Sequence, residues 1–237
     1  MTGARSLLLL LLIAALQTAT AQSLKTPMDL DPHAPRGISP IPIVAFSFEL
    51  TGADPQHYEI AVGARGRAAY RSTGHLNPDS PGSAAGDPYL IRFTMSPETR
   101  QEIFDLAARA HYFEKSVAYT KGRLANMGAK TLTYSDEKVF HQQTYNYSGM
   151  APIQQLTEIF QNISNTLEMG RRLEFSYKYE KLGVDEDLRN MEEAAKSNRL
   201  LEVQALAPLL KQIADDPSVL NIARERAKKL LNSPAVQ

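Results

Sequence analysis

The sequence contains no cysteine, which excludes a disulfide framework and a lipid-modified cysteine after an export signal. Neither sign of charge dominates, with 26 Lys and Arg against 26 Asp and Glu. Nucleic-acid binding needs a clustered excess of Lys and Arg to neutralise phosphates, so this balance argues against it. Long apolar runs are missing too: the unbroken stretch from Leu7 to Ala15 is about half of the roughly 20 residues that a bilayer-spanning helix needs. Motifs of nucleophilic catalysis are equally scarce. No Gly-x-Ser-x-Gly elbow occurs, and Ser135-Asp136-Glu137-Lys138 lacks the Ser-Asp-Asn and Lys-Thr-Gly partners of penicillin-binding enzymes.

What the short apolar run does supply is an export signal. Arg5 precedes it, polar Gln17, Thr18 and Thr20 follow, and Ala19-Thr20-Ala21 is a small-residue cleavage site. Cleavage between Ala21 and Gln22 is expected to release a periplasmic or secreted chain with no membrane span. Removing Arg5 from the 26 basic residues leaves 25 against 26 acidic ones. An exported chain without disulfides reads as bacterial, and there the triplets Asn146-Tyr147-Ser148 and Asn162-Ile163-Ser164 carry no glycan. About 215 mature residues bury a substantial core, so folding calls for neither metal nor cofactor.

Residues 22–42 hold five prolines and no periodicity, which predicts a disordered leader. Its Asp29 to His33 stretch lacks the glycine and terminal glutamate of a calcium loop. Strict alternation then begins. Val44, Phe46, Phe48 and Leu50 share one face of a strand; Tyr58, Ile60 and Val62 repeat the pattern; and Gly63 to Gly66 turns into a strand over 67–72. Arg65, Arg67 and Arg71 lie close together on this hairpin, either as an anion site or as the strand's wet face. A long Gly/Pro/Ser loop over 74–88 leads to a strand over 89–94. Ser96-Pro97-Glu98 opens a helix with a side-chain cap, an N-terminal proline and a carboxylate facing the dipole. A second hairpin, 130–135 and 138–146, turns at Asp136-Glu137. A helix then runs from Met150 along Ile153, Leu156, Ile159, Phe160, Ile163 and Leu167, with an exposed extension beyond Gly170 that Gly183 ends.

Gly122-Arg123-Leu124-Ala125-Asn126-Met127-Gly128-Ala129-Lys130-Thr131 invites comparison with a phosphate-binding loop. The spacing fails, since that motif sets four residues between its glycines and puts lysine directly after the second. The context fails as well, because a strand rather than a helix follows and no helix dipole is offered to a phosphate. The glycines are therefore expected to shape a turn. The five histidines, His33, His57, His75, His111 and His141, show no ligand spacing.

Beyond residue 184 three helices are expected, starting at Asp185, Asn198 and Asp216-Pro217. The segment from Leu206-Ala207-Pro208 through Asp215-Asp216, Val219 and Ala223 to Leu230 resembles one HEAT-type helical unit, with Leu220 where that family has arginine. The resemblance implies a proline-bent first helix and a docking surface, although one unit alone cannot form a solenoid. The strands, the Ser-Pro-Glu helix, the 127–146 hairpin and the Pro152 helix resemble, in order, small exported bacterial α+β domains of unknown function. That likeness bears on fold and compartment.

The expected architecture is α+β: residues 43–169 form an antiparallel sheet with two helices on one face, and 170–237 form a helical region of about three helices. The leading functional expectation is a non-enzymatic binding or interaction module of the bacterial envelope. Its contacts would be Tyr145 and Tyr147, with Arg65, Arg67 and Arg71 as a separate candidate, and the C-terminal helices would meet another envelope protein. Two alternatives stand beside it: a hydrolase or other enzyme with a dispersed site, using His111 or His141 with a carboxylate, and a structural envelope component.

Overall fold

The structure, a computed structural model, describes residues 31, 33–74 and 88–233. The expected export signal with Ala21 and Gln22, leader residues 22–30 and 32, and the loop 75–87 with His75 lie outside these residues.

The alternating segments all join one sheet. Its strands are β1 (Ile43–Glu49), β2 (His57–Gly63), β3 (Arg67–Thr73), β4 (Tyr89–Thr94), β5 (Ala129–Ser135) and β6 (Phe140–Tyr145). They pair antiparallel in the order β4-β3-β2-β1-β5-β6. β6 starts two residues later than the sequence pattern suggests. The Asp136 carboxylate accepts from the amides of Lys138 (2.8 Å) and Val139 (2.9 Å), which holds those residues in the turn.

Among the described residues five helices complete an α+β fold: α1 (Pro97–Arg109), α2 (Ala151–Tyr179), α3 (Val184–Lys196), α4 (Ala207–Asp215) and α5 (Asn221–Leu231). Ser96 caps α1, accepting from Thr99 N at 3.3 Å, as its Ser-Pro-Glu start predicts. Val44, Phe46, Ile60, Tyr70 and Leu132 project from one sheet face into a core shared with the helices, and the Phe46 ring stacks on Phe160 of α2 at 5.2 Å. Glu168 of α2 accepts from Tyr70 Oη (2.7 Å) and Ser72 Oγ (2.6 Å), so polar groups at this junction are paired.

α2 continues past residue 170, and the continuation is not an exposed extension. Leu173 and Ser176 are buried, and Ser176 Oγ donates to Asp187 of α3 at 2.6 Å. The boundary expected at 169/170 therefore lies within one helix. Gly170 is needed there because a Cβ would run into Leu206. Glu202 ties the C-terminal helices to α1: its carboxylate accepts from Ser96 N (2.9 Å) and Ser96 Oγ (2.7 Å).

The residues expected to cap C-terminal helices act mostly as turn formers. Asn198 takes a left-handed φ of 53° and closes α3, with Arg199 N donating to Ala194 O at 2.9 Å. A 3₁₀ turn over Val203–Leu206 precedes α4, and Pro208 sits in the first turn of α4, so it starts a helix rather than bending one. Asp216 accepts from Ser218 N at 2.8 Å, and α5 begins only at Asn221.

The second sheet face is crossed by residues 33–42, the end of the expected leader. Ala34 and Ile41 pack on Ile43, Ala45, Ala61 and Ala69. Ser135 Oγ donates to Gly37 O at 2.6 Å, and His33 Nδ1 lies 2.8 Å from Glu59. His57 Nε2 stands 3.4 Å from the same carboxylate, and the hydrogen bonds from His57 and then His33 hold Glu59 below the usual carboxylate range despite its burial. Two histidines that look isolated in sequence thus share one carboxylate. Among the described residues, no helix is long and apolar enough to cross a membrane, and no group of three or more His, Asp or Glu is arranged to hold a metal.

Candidate functional site

Alternation along β5 turns Lys130, Leu132 and Tyr134 toward the helices, with Lys130 in register between Phe48 and Tyr145. A lysine at a core-facing strand position must find acceptors or lose its charge. Lys130 is 5 % exposed, and its Nζ donates to the carbonyls of Met127 (2.8 Å), Asn146 (2.9 Å) and Gly128 (3.3 Å). Three donors thus meet three acceptors. The ammonium also lies 5.6 Å from the centre of the Phe48 ring. Burial pulls its pKa below the ordinary lysine value.

That cage explains the stretch before it. Asn126 Oδ1 accepts from Gly128 N (3.0 Å), Asn146 Oδ1 accepts from Met127 N (2.7 Å), and Asn146 Nδ2 donates to Ala125 O (2.7 Å). Gly128 has φ +88° and lies against Phe48, so a side chain is excluded both by conformation and by space. The amides that would cradle a phosphate are thus taken by asparagine side chains, and the lysine faces carbonyls. The loop is a clamp that holds Met127, 54 % exposed, at the surface.

Beside it lies a cavity of about 320 Å³ whose rim carries Met127 and Tyr147 and whose α2 wall carries Gln154, Glu158 and Gln161. The two expected tyrosines both line it, in different ways. Tyr145 is buried with its hydroxyl 2.6 Å from Thr157 Oγ1, and burial pushes its pKa up to about 12. Tyr147 is 36 % exposed, its hydroxyl accepts from Gln154 Nε2 at 2.9 Å, and its ring meets the edge of Tyr119 with centroids 5.8 Å apart. Leu124 and Met150 are also exposed near this end of the molecule. Aromatic and methionine side chains with a wet polar wall are the composition of a binding hot spot.

The arginines do not join this site. Arg65 is exposed in the β2–β3 turn, while Arg67 and Arg71 lie on β3 facing away from the helices, with Arg71 opposite Glu59 in register. The candidate histidines are elsewhere as well. His141 Nδ1 lies 3.1 Å from the Tyr112 carbonyl. His111 opens a turn of three left-handed residues (φ 50°, 51° and 63°) tied down by buried Phe113 and by Tyr112, whose ring centroid is 4.4 Å from that of Tyr134. Among the described residues neither histidine is paired with a carboxylate by a hydrogen bond or ion pair.

Sequence reasoning missed Lys130 as an organising residue and missed the α2 wall. The signal for the first was present: a charged side chain at an inward position of an alternating strand. The second has no local signal, because Gln154, Glu158 and Gln161 are ordinary polar positions on an amphipathic helix until β6 is placed beside them. No protein-family model matches this sequence, and no curated protein is found to be similar to it.

Proposed function

We propose that the protein is an exported, non-enzymatic binding module of the bacterial cell envelope, with its ligand seated in the cavity between the Met127–Tyr147 rim and α2. The observation that carries this reading is the rim itself. At two exposed residues of high contact value the chain is held by hydrogen bonds, Met127 through its backbone amide to Asn146 and Tyr147 through its hydroxyl from Gln154, while their apolar side-chain surfaces stay in water. Pre-organised exposed apolar groups lower the ordering cost of binding, whereas a purely structural component gains nothing from leaving them uncovered. The test is amide NMR of the protein titrated with solubilised envelope fractions. Shifts that cluster at residues 127, 147, 154 and 158 and vanish in Tyr147→Ala are expected. Titration without response there, or responses that Tyr147→Ala leaves intact, would overturn it.

A contact with another envelope protein is proposed at the far end, where the C-terminal helices leave Leu182, Leu220 and Ile222 exposed around the 3.0 Å pair of Lys181 and Asp216. Leu182→Glu and Ile222→Glu together are expected to abolish capture of that partner without altering the NMR response at residue 147. Capture by the double variant at unchanged affinity refutes the assignment.

A further inference from the structure

The tyrosine-rimmed cavity does not stand alone. A second cavity of about 370 Å³ shares Glu158 and Gln161 with it, and a third of about 530 Å³ shares Asp54, Pro55 and Asn165 with the second. Together they form one trough along α2. Its floor is the helix stripe Gln154, Glu158, Gln161, Asn165, Met169 and Arg172, spaced by threes and fours and therefore on one face. At 1.5 Å per residue this stripe is about 27 Å long. We infer that this trough binds a neutral oligosaccharide of several pyranose units, with one terminal ring against Tyr147.

The inference rests on the binding reading above and deepens it. Three observations select the ligand class. First, the central part of the trough presents amides, Gln161, Asn162 and Asn165, which donate and accept at once as sugar hydroxyls require. Second, the trough mixes charges of both signs, and of its cations Lys130, Arg171, Arg172 and Arg199 only the last has no ion pair or carbonyl cage among the described residues. Lys130 is caged by carbonyls, Arg171 Nε donates to Glu168 at 2.7 Å, and Arg172 pairs with Asp187 at 3.0 Å. Carboxylates Glu158 and Glu193 stand among them, so no field of one sign draws a phosphate or sulfate. Third, an extended peptide needs unpaired backbone groups along an edge, and these walls offer few. Two are the helices α2 and α3; the others are residues 145–148, where the Tyr147 carbonyl already accepts from Tyr119 N at 2.9 Å, and the β1–β2 turn, where Leu50 N, Ala53 N and Gln56 N already donate to carbonyls at 2.9–3.1 Å.

The test uses calorimetry with N-acetylglucosamine and glucose oligomers from monosaccharide to hexasaccharide, their sulfated counterparts, and a neutral Ser/Gly/Ala octapeptide. Affinity for a neutral series is expected to rise with chain length until the trough is filled and to change little with salt. Gln161→Ala with Asn165→Ala, both outside the core, should weaken the hexasaccharide by about tenfold or more while leaving the far-ultraviolet spectrum unchanged. Tyr147→Ala should weaken every length. Affinity that ignores chain length, or a preference for the sulfated sugars, overturns the inference. Binding of the octapeptide alone overturns it too, yet leaves the binding-module reading standing. Silence toward every probe, with no NMR response at residue 147, overturns both.

Discussion

Replacing Gly128 by alanine tests the reading of the Gly122–Thr131 stretch most directly. A non-glycine residue at φ +88° carries a left-handed penalty of about 1–2 kcal/mol. The new Cβ would also stand 2.8 Å from Phe48 Cζ and 3.1 Å from the Glu49 carbonyl. The Phe48 ring can shift, but the carbonyl belongs to β1, which is paired on both sides. Forcing an extra methyl into such a site costs about 1–3 kcal/mol. Relaxation of Phe48 recovers part of this, so the net destabilisation is expected near 2–4 kcal/mol. The matched control is Gly122→Ala in the same stretch. There the nearest atom to an added Cβ is Tyr119 Cε1 at 3.9 Å and φ is not left-handed, so the change should lie within about 0.5 kcal/mol. Urea unfolding followed by circular dichroism measures both, with equal m-values as the check on two-state behaviour. Equal stabilities for the two variants would show that neither glycine is demanded by the loop, and would remove the basis for calling it a clamp.

The remaining expectations concern the same framework. Lys130→Met should destabilise by about 2–4 kcal/mol, because the carbonyls of Met127, Gly128 and Asn146 lose their donor; a gain in stability on denaturation would mean that the buried charge outweighs the cage. Burial holds Tyr145 up at about 12, above the ordinary tyrosine value of about 10, so its contribution is fully present below pH 10 and is lost as pH rises toward 12. Alkaline unfolding should therefore be shallower in Tyr145→Phe than in the parent, and coincident curves refute this. Glu202→Ala strips Ser96 of its acceptor and is expected to cost about 1–3 kcal/mol, with faster amide exchange in the first turn of α1; exchange that speeds up only in the C-terminal helices would place the coupling elsewhere.

Much of the α+β part was legible because its strands are alternating and its helix start is explicit. Val44 to Leu50 and Tyr58 to Val62 show a period of two that only a one-sided strand explains, and Ser96-Pro97-Glu98 combines three helix-start features. The C-terminal caps were harder for a physical reason. A short Asp or Asn side chain that accepts from an amide two or three residues on can open a helix or close a turn, and both uses look alike in sequence. Asp216 and Asn198 close turns here, while α4 begins where Leu206 seats against Gly170, a contact between residues far apart in sequence. The leader misleads similarly. Its prolines rule out regular structure but not packing, and Ala34 and Ile41 still cover the second sheet face. Of the candidate site, Tyr145 and Tyr147 were visible as an aromatic-polar segment, whereas the α2 wall depends on the pairing of β6 with β5.

A loop that merely joined two elements would need no buried lysine. Lys130 gives up hydration to hold three carbonyls, Asn146 bridges Met127 and Ala125, and Gly128 fixes the backbone against Phe48. Each device constrains the main chain, yet none shields the Met127 side chain, which stays more than half exposed. Rigidity without burial contributes little to folding, since stability comes chiefly from apolar area removed from water. It contributes directly to association, because side chains already held in place lose less freedom when a ligand arrives. The same pattern recurs at Tyr147, whose hydroxyl is fixed by Gln154 while its ring faces water. Two independent segments, a loop before β5 and the chain after β6, thus fix the backbone at Met127 and the ring of Tyr147 on the rim of one cavity. Packing requirements alone do not account for that coincidence, whereas the proposed recognition of a ligand there would.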